Sequence, residues 1–267
     1  MSSAAVTVID NIRRPRAFDR QGVGIIDPAT RAKLAQLRAA AQGRDAAGLL
    51  ELALCGEFAG RAAVVSSFGS ESAVLLHMVA EIDPNTPILF LNTGKLFGET
   101  LRYRDRLQDQ LGLGDLRSLA PHPIDRATRD PGGTLWSRDA DACCNFRKVL
   151  PLKRALEGFT AQITGRKRFQ TKERATIQPV EYFEERFRFN PLADWSLADL
   201  AAYVDKHNLP HHPLVDDGFP SGGCMPCTRR VQNGESYRDG RWGGLEKDEC
   251  GIHGPDEGIR GVDGEGI

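Results

Sequence analysis

The feature that most constrains this chain is a short apolar run that feeds into a loop of small residues and then into a helix. Ala62-Ala63-Val64-Val65 suits a buried strand, Ser66-Ser67-Phe68-Gly69-Ser70-Glu71-Ser72 forms the loop, and residues 73–80 read as an apolar helix. The unit then recurs. Pro87-Ile88-Leu89-Phe90-Leu91 is a second strand ending at Asn92-Thr93-Gly94, residues 99–111 form a charged helix, and a third strand lies near 116–120. Ala161-Gln162-Ile163-Thr164-Gly165 adds another strand, leading into the basic run Arg166-Lys167-Arg168. Strand, loop and helix at this pitch predict an α/β fold, a mostly parallel sheet with helices on its faces. Ligands of such sheets bind beyond the carboxyl ends of the strands, where the serine loop and Asn92-Thr93-Gly94 both lie.

Two helices are predicted ahead of the sheet, one starting at Pro28 with Leu34, Leu37 and Ala41 on one face, and one over residues 46–58. The chain therefore divides into a helical extension (1–58), an α/β domain (59–235) and a C-terminal segment (236–267). A helix over 139–156 carries tandem cysteines, and Pro151 should bend or restart it. Another runs over 196–207, capped by Ser196, with Leu197, Leu200, Tyr203 and Val204 facing inward.

With 267 residues, 35 basic and 36 acidic side chains, and a formal charge of -1, the chain lacks the basic excess of a duplex-binding protein. No apolar stretch approaches the roughly 20 residues that span a bilayer, and the first ten residues do not read as a secretory signal. The expectation is a cytoplasmic enzyme without nucleic-acid or membrane partners. In a reducing compartment, closely spaced cysteines point to metal or catalysis rather than to disulfides.

Five of the six cysteines fall in three groups: Cys143-Cys144, Cys224-x-x-Cys227, and Cys250 in Glu249-Cys250-Gly251-Ile252-His253. A lone Cys-x-x-Cys is open among zinc, redox dithiol and cluster. Adjacent helical cysteines diverge by about 100°, which crowds them on one tetrahedral ion but lets them reach two irons of a cubane. Cys143, Cys144, Cys224 and Cys227 together supply the four thiolates of a [4Fe–4S] cluster. Cys250 is left as a nucleophile, with His253 to raise its thiolate fraction, against the alternative of a surface thiol. Cys55 reads as a small core residue in an apolar helix.

The serine loop is either a structural turn or an anion cradle, in which Ser66, Ser67, Gly69, Ser70 and Ser72 present backbone N–H groups at a helix N-terminus. It lacks the lysine of a Walker A motif. Lys148 lies one helical turn after Cys144 and should bring a positive charge to the sulfur site. Arg238 and Arg241, with Arg168, could form a pocket for a doubly charged phosphosulfate or diphosphate, although surface positions explain single arginines equally well. His77 reads as packing, and His207, His211 and His212 as hinge or surface.

In combination these motifs resemble the assimilatory sulfonucleotide reductases, specifically the adenylylsulfate (APS) reductases. The resemblance rests on Ser66-Ser67-Phe68-Gly69, Leu91-Asn92-Thr93-Gly94, Cys143-Cys144-x-x-Arg147-Lys148 and Ile163-Thr164-Gly165 with Arg168-x-Gln170. It continues through Phe189-Asn190-Pro191-Leu192, Gly223-Cys224-x-x-Cys227-Thr228, Gly240-Arg241-Trp242 and the Cys250 run. It implies an adenine nucleotide α-hydrolase-like fold with a mobile C-terminal segment and a [4Fe–4S] cofactor. It also implies APS lying near Ser66, Ser67, Gly69, Thr93 and Gly94, with Lys148, Arg168, Arg238, Arg241 and His253 around the phosphosulfate. Cys250 would take the sulfonate as an S-sulfonate, and thioredoxin would release sulfite. A homo-oligomer is compatible with the sequence.

Two features pull against each other. Ser67-Phe68-Gly69 is similar to the loop of phosphoadenylylsulfate (PAPS) reductases, whereas the cysteine pairs are similar to those of the APS enzymes. A PAPS reductase releasing adenosine 3′,5′-bisphosphate is the nearest alternative. An ATP pyrophosphatase-type enzyme and a non-enzymatic cluster or zinc module are more distant ones.

Overall fold

The computed structural model describes residues 26–242 together with Glu249, Gly251 and Ile252. Helix α1 (Pro28–Ala41) starts where the Asp27 carboxylate accepts from the Ala29 and Thr30 amides, each at 3.0 Å. Helix α2 (Ala46–Leu54) follows, and its buried positions Ala46, Leu49, Leu50 and Ala53 make one stripe. The predicted helix over 46–58 thus ends four residues early. Cys55 is its C-cap, lies off that stripe and is exposed, so the expectation of a core cysteine is corrected.

Strand β1 (Ala62–Ser66) is followed by α3 (Ser72–Ile82), β2 (Ile88–Leu91), α4 (Gly98–Leu111) and β3 (Leu116–Leu119). Helices α5 (Pro123–Arg129), α6 (Leu135–Arg138) and α7 (Ala140–Cys144) come next. A π turn (Asn145–Val149) then joins α7 to α8 (Leu150–Ala155). The chain continues through β4 (Ala161–Thr164), β5 (Val180–Phe183), β6 (Arg186–Phe189) and α9 (Leu197–Lys206). The described strands form one sheet in the order β3-β2-β1-β4-β6-β5, parallel throughout except for β5 against β6. This is the expected α/β fold.

Alternation along the central strands divides the core between the two faces of the sheet. Ala62, Val64, Ile88 and Phe90 join α1, α2 and α3 residues in the larger core, whereas Ala63, Val65, Leu89 and Leu91 pack with Leu152 and Leu156 of the α8 region. Both predicted N-terminal helices therefore pack on the sheet, and Arg38 of α1 donates to the Val180 carbonyl of β5 at 3.0 Å. The first 25 residues of the expected extension lie outside the described residues.

Helix α9 has the expected Ser196 cap, closed reciprocally by Asp199. Leu197 is 48% exposed, contrary to expectation, because the first helical turn starts on the solvent side, while Leu200 is buried. His212, read as hinge or surface, is buried. It pairs with Thr100 at 3.2 Å, accepts from the Leu214 amide, and burial pushes its pKa down to about 4.

Candidate functional site

The strand order reverses at β1, which has β2 on one side and β4 on the other, and a crevice opens there at the carboxyl ends. A cavity of about 170 Å³ occupies it, walled by the Ser66–Ser72 loop, Thr93, Thr164 and the stretch from Gly165 to Lys167. The loop keeps its shape through Phe68, whose ring is fully buried edge-on against Phe90. Its backbone is left-handed at φ 50°, an unusual state for a bulky residue. The Ser66 hydroxyl accepts from the Phe68 amide at 3.1 Å, and Ser70 donates to the Pro220 carbonyl at 2.6 Å, tying the loop to the C-terminal region.

Of the predicted residues, Ser66, Ser67, Gly69, Thr93, Lys148, Arg238 and Arg241 all line this cavity. Gly94 does not. With Asn92, Arg126 and Arg147 it lines a separate hollow of about 490 Å³. Arg168 is likewise absent from the cavity wall: its guanidinium pairs with Asp194 and donates to the Ile177 carbonyl. The chain is extended at Lys167 and then tightens into a 3-10 turn, so Lys167 faces the cavity and Arg168 turns away from it.

Among the cavity residues that the sequence reading did not assign to a site are Glu71, Arg166, Lys167, Gln170, Arg174 and Glu249. The Lys167 ammonium donates to the Glu71 carboxylate at 2.5 Å, and the Gln170 amide donates to the same oxygen at 2.7 Å. Burial pulls the Lys167 pKa down, as do the charges of Arg174 and Arg238, while Glu71 opposes the shift. Arg174 holds Glu249 with two N–H···O bonds, at 2.5 and 2.7 Å. Glu249 and Ile252 also line the cavity, and Ile252 packs against the second core. Cys250 and His253 themselves lie outside the described residues.

The tandem cysteines end α7, and the π turn follows immediately. Pro151 has no N–H, so the usual bond back to Arg147 cannot form, and the Leu150 amide reaches the Asn145 carbonyl instead. Cys224 is brought across by an antiparallel bridge to Leu96, with the Met225 amide on the Lys95 carbonyl at 2.7 Å. Cys143, Cys144, Cys224 and Cys227 thereby wall one small cavity with Trp136, Arg147 and Lys148. Thr93 Oγ1 lies 3.3 Å from Cys224 Sγ. Burial pushes the Cys143 thiol up to about 11. The Arg147 charge opposes this, and the three neighbouring sulfurs add to it.

Among the described residues, no three His, Cys, Asp or Glu side chains converge as they would on one metal ion. The donor set is instead four soft sulfurs from two segments around a shared space, with Arg147 and Lys148 beside them, which suits a polynuclear, anionic group. Two residues, Lys148 and Cys224, line both this cavity and the larger one, so the sulfur site and the crevice share a wall.

Comparison with known proteins places this geometry in a family. Residues 61–230 match the phosphoadenosine phosphosulfate reductase domain. An adenosine 5′-phosphosulfate reductase of Chelativorans sp. is 52% identical over 73% of this chain and 80% of its own length. One of Mesorhizobium japonicum is 46% identical over 91% of this chain and 94% of its own. The crystal structure of a phosphoadenylyl-sulfate reductase from Candida auris superposes with a TM-score of 0.63 at 20% identity, covering 80% of this chain and 98% of that one. The chain with this crevice at the strand reversal and four cysteines beside it thus belongs to the phosphoadenosine phosphosulfate reductase domain family.

Proposed function

We propose that this protein reduces adenosine 5′-phosphosulfate to sulfite and AMP, with thioredoxin as the dithiol donor. The observation that carries the reading is the shared wall. A crevice at the strand ends is lined by basic side chains and by the residues flanking Cys250, and it abuts four cysteines across Lys148 and Cys224. The name borne by the relatives from Chelativorans and Mesorhizobium supports APS as the substrate.

In this reading the adenosine lies against the Ser66–Ser72 loop and Thr93, and Lys148, Arg238 and Arg241 hold the phosphosulfate. These cations disperse the charge that builds on the phosphate oxygen as AMP leaves. The Cys250 thiolate attacks the sulfonate sulfur. An S–S bond forms, the S–O bond to AMP breaks, and AMP departs with the electron pair. A thioredoxin thiolate then attacks Cys250, forming a mixed disulfide and expelling sulfite, and its second thiol resolves that disulfide and restores Cys250.

Cys143, Cys144, Cys224 and Cys227 are the residues that would hold a [4Fe–4S] cluster. When bound, it supplies local charge and rigidity beside the phosphosulfate rather than electrons. Among the described residues no helix is long and apolar enough to cross a membrane.

The test is sulfite release from APS by anaerobically purified protein with reduced thioredoxin. Cys250→Ser should keep its iron and lose sulfite formation entirely. An active Cys250→Ser protein would overturn the nucleophile, and a wild-type protein inert toward APS would overturn the reading.

A further inference from the structure

The Cys224-x-x-Cys227 pair closes its own turn, with the Cys227 amide on the Cys224 carbonyl at 3.0 Å and the Thr228 hydroxyl on the same oxygen at 2.9 Å. The stretch that carries Arg241 is laid directly on that turn. Thr228 and Arg241 form an antiparallel bridge, the Arg229 amide donates to the Gly240 carbonyl at 2.8 Å, and the Trp242 amide donates to the Cys227 carbonyl at 2.8 Å. Trp242 is buried, and the Arg241 guanidinium lies 4.5 Å from the centre of its ring.

The arginine then runs back over the two glycines that precede Cys224, and Arg241 Nη1 donates to the Gly222 carbonyl at 2.6 Å. The two glycines are not equivalent. A Cβ at position 223 would stand 2.5 Å from Arg241 Nη2, 2.6 Å from Cζ and 3.0 Å from Nε, whereas a Cβ at position 222 would meet nothing within 4 Å. Neither glycine has a positive φ, so an alanine suits the backbone at both.

We propose that Gly223 is a positioning residue for Arg241: its missing side chain leaves the slot in which this crevice cation is seated. The inference rests on the reading that an anionic nucleotide binds in the crevice. A guanidinium recognises phosphate through a rigid fork of donors, so its aim matters as much as its charge. Seated between the Trp242 ring and the Gly222 carbonyl, the Arg241 fork is ordered before the ligand arrives, which lowers the entropy lost on binding. The turn that mounts it also carries Cys224 and Cys227. The sulfur ligands and the anion-binding arginine therefore belong to one backbone unit, a second link between the two cavities besides their shared wall.

Gly223→Ala meets only the end of a flexible side chain, so the fold should hold while the guanidinium is pushed aside. AMP affinity by calorimetry and kcat/KM for APS should both fall about tenfold or more, with iron per chain at the wild-type level. Gly222→Ala, alike in its effect on chain entropy, should lose several-fold less. In an Arg241→Ala background, where the slot is empty, Gly223→Ala should cause no further loss. That background decides the matter even if Gly223→Ala alone proves unstable. Additive losses, equal losses from the two glycine substitutions, or iron falling in step with AMP affinity would overturn the role of Gly223 and leave the reductase reading intact. A wild-type protein that neither binds AMP nor reduces APS would overturn both.

Discussion

At the scale of single residues, one of the charges beside the sulfur site, that of Arg147, is held by a buried ion pair. Arg147 donates to the Asp130 carboxylate at 2.6 Å and to the Thr93 carbonyl at 2.7 Å, and both side chains of the pair are almost wholly buried. Burial alone would raise the Asp130 pKa. The Arg147 guanidinium and the Leu135 amide outweigh it and hold the carboxyl below the usual 3.8. A depressed folded-state pKa contributes stability that is present above the unfolded value and is lost as pH falls through the folded one. Urea midpoints measured from neutral pH downward should therefore fall as pH drops below 3.8, and Asp130→Asn should flatten that decline. Removing one partner leaves a buried charge uncompensated, so Asp130→Asn should cost about 3 kcal/mol at neutral pH. A variant as stable as wild type would show that Arg147 is held by other means.

Among the elements, the joint between α7 and α8 is the one whose geometry matters most, because it places Cys143 and Cys144. A helix over 139–156 was legible in the sequence, and so was a disturbance at Pro151. The wide π turn was not, because it depends on which earlier carbonyl the Leu150 amide reaches. Pro151→Ala restores an N–H, lets the turn tighten to α-helical spacing and rotates the cysteines relative to Cys224 and Cys227. Thermal stability should hold or rise slightly while iron bound per chain drops well below that of wild type. Iron content equal to wild type would show that the π turn is incidental.

Legibility elsewhere followed the same division between local and long-range signals. The strands β1, β2 and β4 announced themselves as largely apolar runs, and β3 (Leu116-Arg117-Ser118-Leu119) by its place in the strand–helix alternation. The β5–β6 hairpin did not, since Arg186-Phe187-Arg188-Phe189 mixes charge with aromatics, and its turn uses Glu184 and Glu185 in left-handed backbone instead of glycine. Arg238 and Arg241 were legible as a spaced pair, whereas Lys167 and Arg174 became site residues only through partners 96 and 75 positions away.

For the whole molecule, overall neutrality conceals a concentration of charge. The formal charge is only -1, yet Lys148, Arg166, Lys167, Arg174, Arg238 and Arg241 converge on one crevice against Glu71 and Glu249. Low-dielectric walls focus such a field toward an entering anion, and salt screens it over a Debye length of about 8 Å at physiological strength. The partners inside the crevice are buried and are screened far less than the approach path. Raising salt should therefore increase KM for APS several-fold, with kcat and the urea midpoint changing little. Inhibition by adenosine, which is uncharged but offers the same base and ribose to the Ser66–Ser72 loop, should hardly respond. If adenosine and APS lost affinity in parallel, the salt would be acting on the fold rather than on the field, and the crevice would not be drawing its ligand by charge.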